Sequence, residues 1–99
     1  MLISSYNFRI TIFTKFNMDD LKRVLLRKLV KQSYWGKRHT SFDNLPKGFP
    51  SHLRKDVSKV AKELIKEGLL LKKPTSYGVE VSLNPMRSKE ILRLLERKV

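Results

Sequence analysis

The sequence predicts an α+β domain, and three observations carry that reading. From Ser51 to Glu67 apolar residues recur at helical spacing, with Leu53, Val57, Val60, Ala61, Leu64 and Ile65 on one stripe. From Leu69 to Leu83 the spacing changes to alternation on either side of a turn, so a helix runs straight into a two-stranded hairpin. Asn17 before Met18, and Asn84-Pro85 before Met86, are helix-start signals on either side of that unit. A chain of 99 residues, 40% of them hydrophobic, holds one domain with one modest core.

Residues 1–17 read as an N-terminal extension ahead of a domain over 18–99. In the extension, Tyr6, Phe8, Ile10 and Ile12 alternate with Asn7, Arg9 and Thr11. That period of two predicts a strand from Tyr6 to about Thr14. It would pair with the hairpin of its own domain or across a homodimer. Met18 offers a second start for translation. A helix is expected from Met18 to Gln32, with Asn17 as its cap and Asp19 and Asp20 at the positive end of its dipole. Leu21, Val24, Leu25 and Leu29, with the stem of Lys28, make its buried stripe. Leu26 and Val30 widen the stripe, so this helix is covered on more than one side.

Ser33-Tyr-Trp-Gly36 ends the first helix, and Tyr34 and Trp35 close the core there rather than stack on bases. Lys37-Arg-His-Thr40 is a basic connection. Thr40 or Ser41 caps a short second helix, about Ser41 to Leu45, with Phe42 and Leu45 inward. Pro46-Lys-Gly-Phe-Pro50 is turn chemistry. The long helix follows at 51–67, opened by Pro50 or Ser51 and stopped by Gly68. In the hairpin, Leu69 and Leu71 on one strand and Val79, Val81 and Leu83 on the other are expected to face the core, with Lys73 to Gly78 as the tip. A last helix is expected from Pro85 to Lys98, where Ile91, Leu92, Leu94 and Leu95 are apolar. It packs on the core or builds a dimer interface.

Charge narrows the function. The chain carries 22 Lys and Arg against 9 Asp and Glu, a formal net charge of +13. Such an excess repels itself unless a polyanion or salt relieves it. DNA or RNA is the usual polyanion, and a membrane surface is the other. There is no cysteine, which removes disulfides, thiolate metal sites and cysteine nucleophiles together and fits a reducing compartment. No apolar run reaches the roughly 18 residues that span a bilayer, and the N-terminus has no signal-peptide pattern. A cytoplasmic location is expected. No glycine-rich phosphate loop, nucleophile elbow or paired carboxylates are visible, so no enzyme and no cofactor are expected. His39, Asp43 and His52 match no ligand spacing, and no metal is expected.

The order helix, short helix, turn, long helix, hairpin, helix resembles the winged helix-turn-helix family, as found in small archaeal proteins. Leu21 to Leu29, Thr40 to Leu45 and Val57 to Leu70 carry the likeness, with Val60, Leu64, Gly68 and Leu69 its most family-like part. It covers residues 18–97. It implies a three-helix core with a hairpin wing, an added N-terminal strand and a C-terminal helix. The proline-rich turn at 46–50 is longer than the family's usual one. The implied function is double-stranded DNA binding, with the long helix in the major groove and the hairpin against the backbone, as in a transcriptional regulator.

Charge points the same way, with eight Lys and Arg against three acids from Lys47 to Lys73. At about 100° per residue, Lys55, Lys59, Lys62 and Lys66 share the helix side opposite the apolar stripe. The expected nucleic-acid contacts are Lys55, Lys59 and Lys62 on that face, with Ser58 beside them, and Ser51, His52 and Arg54 in the first turns. The hairpin would add Lys72, Lys73, Ser76 and Tyr77. Lys37 and Arg38 would meet a phosphate near the second helix. Base reading favours the forks of Arg, Asn and Gln, and only Arg54 offers one here, so affinity should exceed sequence discrimination. An RNA-binding or ribosome-associated role, or a protein-interaction module, fits the same residues.

Overall fold

The computed structural model describes residues 17–96. The strand expected at Tyr6–Thr14, and Arg97 and Lys98 of the expected last helix, lie outside them. Helix α1 is Met18–Lys31. Its start is built as the sequence suggests, because the Asn17 side chain accepts the Asp20 N–H at 2.8 Å. Leu21, Leu25, Leu26 and Leu29 are buried, while Val24 is half-buried. The helix ends in two closing bonds, Ser33 N–H to the Val30 carbonyl (2.9 Å) and Tyr34 N–H to the Leu29 carbonyl (3.1 Å). Together they form a Schellman motif, and Ser33 takes the left-handed position at φ +61°.

Strand β1 is only Thr40–Ser41, and Phe42–Asn44 follows as one 3-10 turn rather than the expected helix 41–45. Two facts explain the correction. Thr40 and Ser41 are extended against Val81 and Glu80, so helical geometry starts at Phe42. Pro46 then has no N–H to return to Phe42, and the bonds that form span three residues: Leu45 to Phe42, Lys47 to Asn44, Phe49 to Pro46. Ser41 does cap the turn, accepting the Asp43 N–H at 3.2 Å. The long turn is held in place from both sides. Phe49 is buried, Lys28 from α1 contacts the Lys47 carbonyl and lies 5.1 Å from the Phe49 ring centre, and Arg54 Nε–H donates to the Phe49 carbonyl at 3.3 Å.

A 3-10 turn at Ser51–Leu53 leads into helix α2, Arg54–Lys66, close to the expected 51–67. Val57, Val60, Ala61 and Leu64 are buried along one side of it. It too ends in a Schellman motif, Gly68 N–H to the Ile65 carbonyl (3.1 Å) and Leu69 N–H to the Leu64 carbonyl (3.0 Å), with Gly68 at φ +84°. Here the left-handed residue is glycine, which has no Cβ to clash.

Strands β2, Leu70–Thr75, and β3, Gly78–Leu83, form the hairpin, and the three antiparallel strands lie in the order β1-β3-β2. The phase of β2 differs from the expected one. Leu69 is taken up in the helix ending, so Leu70 pairs with Leu83 on the core face and Leu71 turns outward, 41% exposed. Val79 also stays on the surface, at 36% exposure. The tip is shorter than expected, because the strands run through Thr75 and Gly78 and only Ser76 and Tyr77 turn. Thr75 ties it by donating its hydroxyl to the Gly78 carbonyl at 2.8 Å, and Gly78 carries the unusual backbone at φ +138°. Pro74 sits inside β2, which among the described residues has a neighbour on one side only. An edge position is where a residue without N–H is tolerated.

Asn84 then caps a 3-10 turn at Pro85–Arg87, accepting the Met86 N–H at 3.0 Å and donating to the Gly68 carbonyl at 2.8 Å. Helix α3, Ser88–Glu96, packs on α1, where Arg27 donates to the Leu95 carbonyl at 3.2 Å. Ile91 is fully buried, Leu94 and Leu95 are half-buried, and Leu92 is 44% exposed. No helix among the described residues is long and apolar enough to cross a membrane.

Candidate nucleic-acid interface

Helix α2 sorts its charges by side. At about 100° per residue, Lys55, Lys59, Lys62 and Lys66 fall within about 60° of one another, opposite the buried stripe. All four are exposed. Asp56 and Glu63, with Glu67 at the C-cap, fall within about 40° of one another, roughly a quarter turn away. That acidic flank faces α1. Lys22 of α1 reaches it, with its Nζ 2.8 Å from Glu67 Oε2 and 3.7 Å from Glu63 Oε1. The hydrogen bond to Glu67 raises the Lys22 ammonium above its ordinary pKa of 10.5. Glu63 and Glu67 are thereby occupied, while Asp56 has no ion-pair partner among the described residues. Among the described residues, none of Lys55, Lys59, Lys62 and Lys66 makes an ion pair. Lys66 joins the face although it was not among the expected contacts; the same angular spacing selects it.

The hairpin adds one of its two lysines to this side. Successive strand residues point to opposite faces, so Lys72 and Lys73 part company. Lys72 shares the core-side face with its partner Val81, and with Lys62, Phe42, Ile65 and Val79 it lines a cleft between α2 and the hairpin. Lys73 lies on the other face, across from Glu80, so the expected pair is split. Glu80 is itself bound to His39. Ser76 and Tyr77 stand at the tip, Tyr77 at 97% exposure. The cleft is a feature that sequence reasoning missed, because Phe42, Ile65 and Val79 read as core residues.

The remaining expected contacts divide. Ser51, His52 and Lys55 are exposed at the start of the long helix, and Ser58 is half-buried on the flank shared with Lys62. Arg54, the only fork in the region, has its Nε committed to the Phe49 carbonyl. Lys37 and Arg38 are exposed, but they adjoin Gly36, whose N–H binds the Leu83 carbonyl. That is the end of β3 away from the tip, about 16 Å along the strand from Gly78. Arg38 lies over the Tyr34 ring, 5.6 Å from its centre, and Tyr34 and Trp35 pack against the core. These two cations form a patch apart from the hairpin tip.

Among the described residues no group of three acidic, histidine or cysteine side chains could hold a metal ion. What the assembled surface offers is ammonium groups on a rigid helix and hydroxyls at a hairpin tip, the donors that contact phosphate. Comparison with family models, curated proteins and solved structures returned no match.

Proposed function

We propose that this chain is a winged helix-turn-helix protein that binds double-stranded DNA. Helix α2 lies along the major groove and the hairpin stands beside the phosphate backbone. The observation that carries this reading is the sorting of charge on α2. Glu63 and Glu67 are turned toward α1 and bound by Lys22, while the lysines of α2 face away, with Lys72 beside them across the cleft. The sheet order, with a strand ahead of α2 paired to the second strand of the hairpin, supports the fold assignment.

Binding is driven by phosphate contacts and discriminates weakly among sequences. Lysine is a point charge without a base-reading fork, and Arg54 is partly tied to the turn. Five lysines on phosphates give a log–log salt slope of about −4 to −5. Fluorescence anisotropy of a labelled duplex at several salt concentrations measures it. In K55Q/K59Q/K62Q the slope flattens by about 3. Salt-independent binding, or a triple variant that keeps both affinity and slope, would refute the proposal.

A further inference from the structure

We infer that the cleft between α2 and the hairpin seats the sugar–phosphate backbone of a DNA strand and rejects ribose. This rests on the duplex-binding reading above and gives it a specific place and physical cause for a preference for DNA over RNA. The floor of the cleft is Phe42, Ile65 and Val79, and its rim is Lys62 and Lys72. Lys72 comes from β2, diagonal to Val79 on the same face of the hairpin, and Lys62 comes from the outward face of α2. Neither lysine has an acidic partner among the described residues. The occupant that complements this lining is an anion with an apolar body. A backbone unit has that form, with a phosphate for the two ammonium groups and a carbon-rich sugar for the floor.

The sugar must be deoxyribose. Among the described residues, no side chain lining the cleft can accept a hydrogen bond, because Phe, Ile and Val are apolar and Lys only donates. With both ammonium groups on the phosphate, a 2′-hydroxyl pressed onto the apolar floor gives up water and finds no side-chain acceptor there. The same surface that welcomes the C2′ methylene of DNA therefore penalises RNA.

The test uses the full chain and three duplexes of one sequence, built on deoxyribose, 2′-fluororibose and ribose. The last two share A-form geometry and differ at the 2′ substituent, so their ratio isolates the hydroxyl from helix shape. The 2′-fluoro duplex is expected to bind roughly fivefold to tenfold tighter than the ribose duplex. Val79→Thr keeps the branched shape and supplies an acceptor on the floor. It should shrink that ratio to within about twofold, a change in preference with an unaltered salt slope. Lys72→Gln should instead flatten the slope by about 1. Equal binding of fluoro and ribose duplexes overturns the cleft assignment, as does a ratio that Val79→Thr leaves unchanged. A poly-glutamate peptide that binds more tightly than any duplex and is weakened by Val79→Thr overturns it in favour of an acidic protein partner. If no duplex binds at all, the duplex-binding reading and the cleft assignment fall together; salt-dependent binding without the sugar preference removes only the cleft assignment.

Discussion

Helices α1 and α2 pack side by side, each carries five basic side chains, and they use them in opposite ways. In α1, Lys22 bridges Glu63 and Glu67, Arg23 holds Asp20, Arg27 binds the Leu95 carbonyl and Lys28 the Lys47 carbonyl. Three of those five cations tie α1 to other parts of the fold, and Arg23 makes its pair within the helix. Among the described residues, in α2 only Arg54 makes such a tie, through Phe49. The contrast separates lysine as an internal tie from lysine as an offered surface. Net charge alone does not distinguish them, since both helices look equally basic in the sequence.

The largest expected effects test whether the buried sides are equivalent while the exposed sides are not. Leu25→Ala in α1 and Leu64→Ala in α2, both fully buried, should each cost about 3 kcal/mol in urea unfolding. A much smaller loss at either site would mean that the two helices do not share one core. The next effect falls on binding alone. K55E/K59E should weaken duplex affinity about a hundredfold at 0.1 M salt while leaving stability within about 0.5 kcal/mol. A large loss of stability in that variant would show these lysines to be structural ties like those of α1.

The two helix endings sharpen the comparison further. Both have the same bonds, but α1 places Ser33 in the left-handed position and α2 places Gly68 there. Ser33→Gly should add about 1 kcal/mol, and Gly68→Ala should remove about 1 kcal/mol. Thermal melts read these as opposite shifts of about 4–8 °C. Equal signs would mean that the backbone angles are not what limits these sites.

The smallest effect belongs to Lys22. Its partly exposed bridge is worth roughly 0.5 kcal/mol, which Lys22→Gln removes. Because folding raises this ammonium's pKa above 10.5, its contribution is complete below that pH. It is lost as pH rises through the folded value, so the wild type and Lys22→Gln should converge in strongly alkaline solution. The same variant frees Glu63 and Glu67 beside the lysine face and should weaken duplex binding about twofold.

Much of this was legible in the residues and some was not. The bounds of α1 and α2, the Asn17 cap and the lysine face follow from spacing and capping, because local geometry fixes them. The phase of β2 does not follow, since Leu69, Leu70 and Leu71 are equally apolar and any of them satisfies the alternation. Geometry at Gly68 decides it by drawing Leu69 into the helix ending. Strand β1 is two residues long and carries no period, so Thr40 and Ser41 read only as caps. The ion pairs of Lys22 join residues more than forty positions apart, 45 for Glu67, which no local pattern reveals. The separation of Lys72 from Lys73 was available from strand pleating, once β2 was known to run through Pro74.

Proteins that coat a polyanion are crowded along it, flank to flank, at local concentrations far above those in bulk. A bare strand margin in such a row invites one copy to zip onto the next and grow into fibres. In β2, whose outer margin is unpaired among the described residues, that margin is interrupted by Pro74, which has no proton to donate, and carries the repelling ammonium groups of Lys72 and Lys73. On the proposed duplex-binding reading, the hairpin can thus be crowded against its neighbours without templating them, and copies bound along one duplex stay separate molecules.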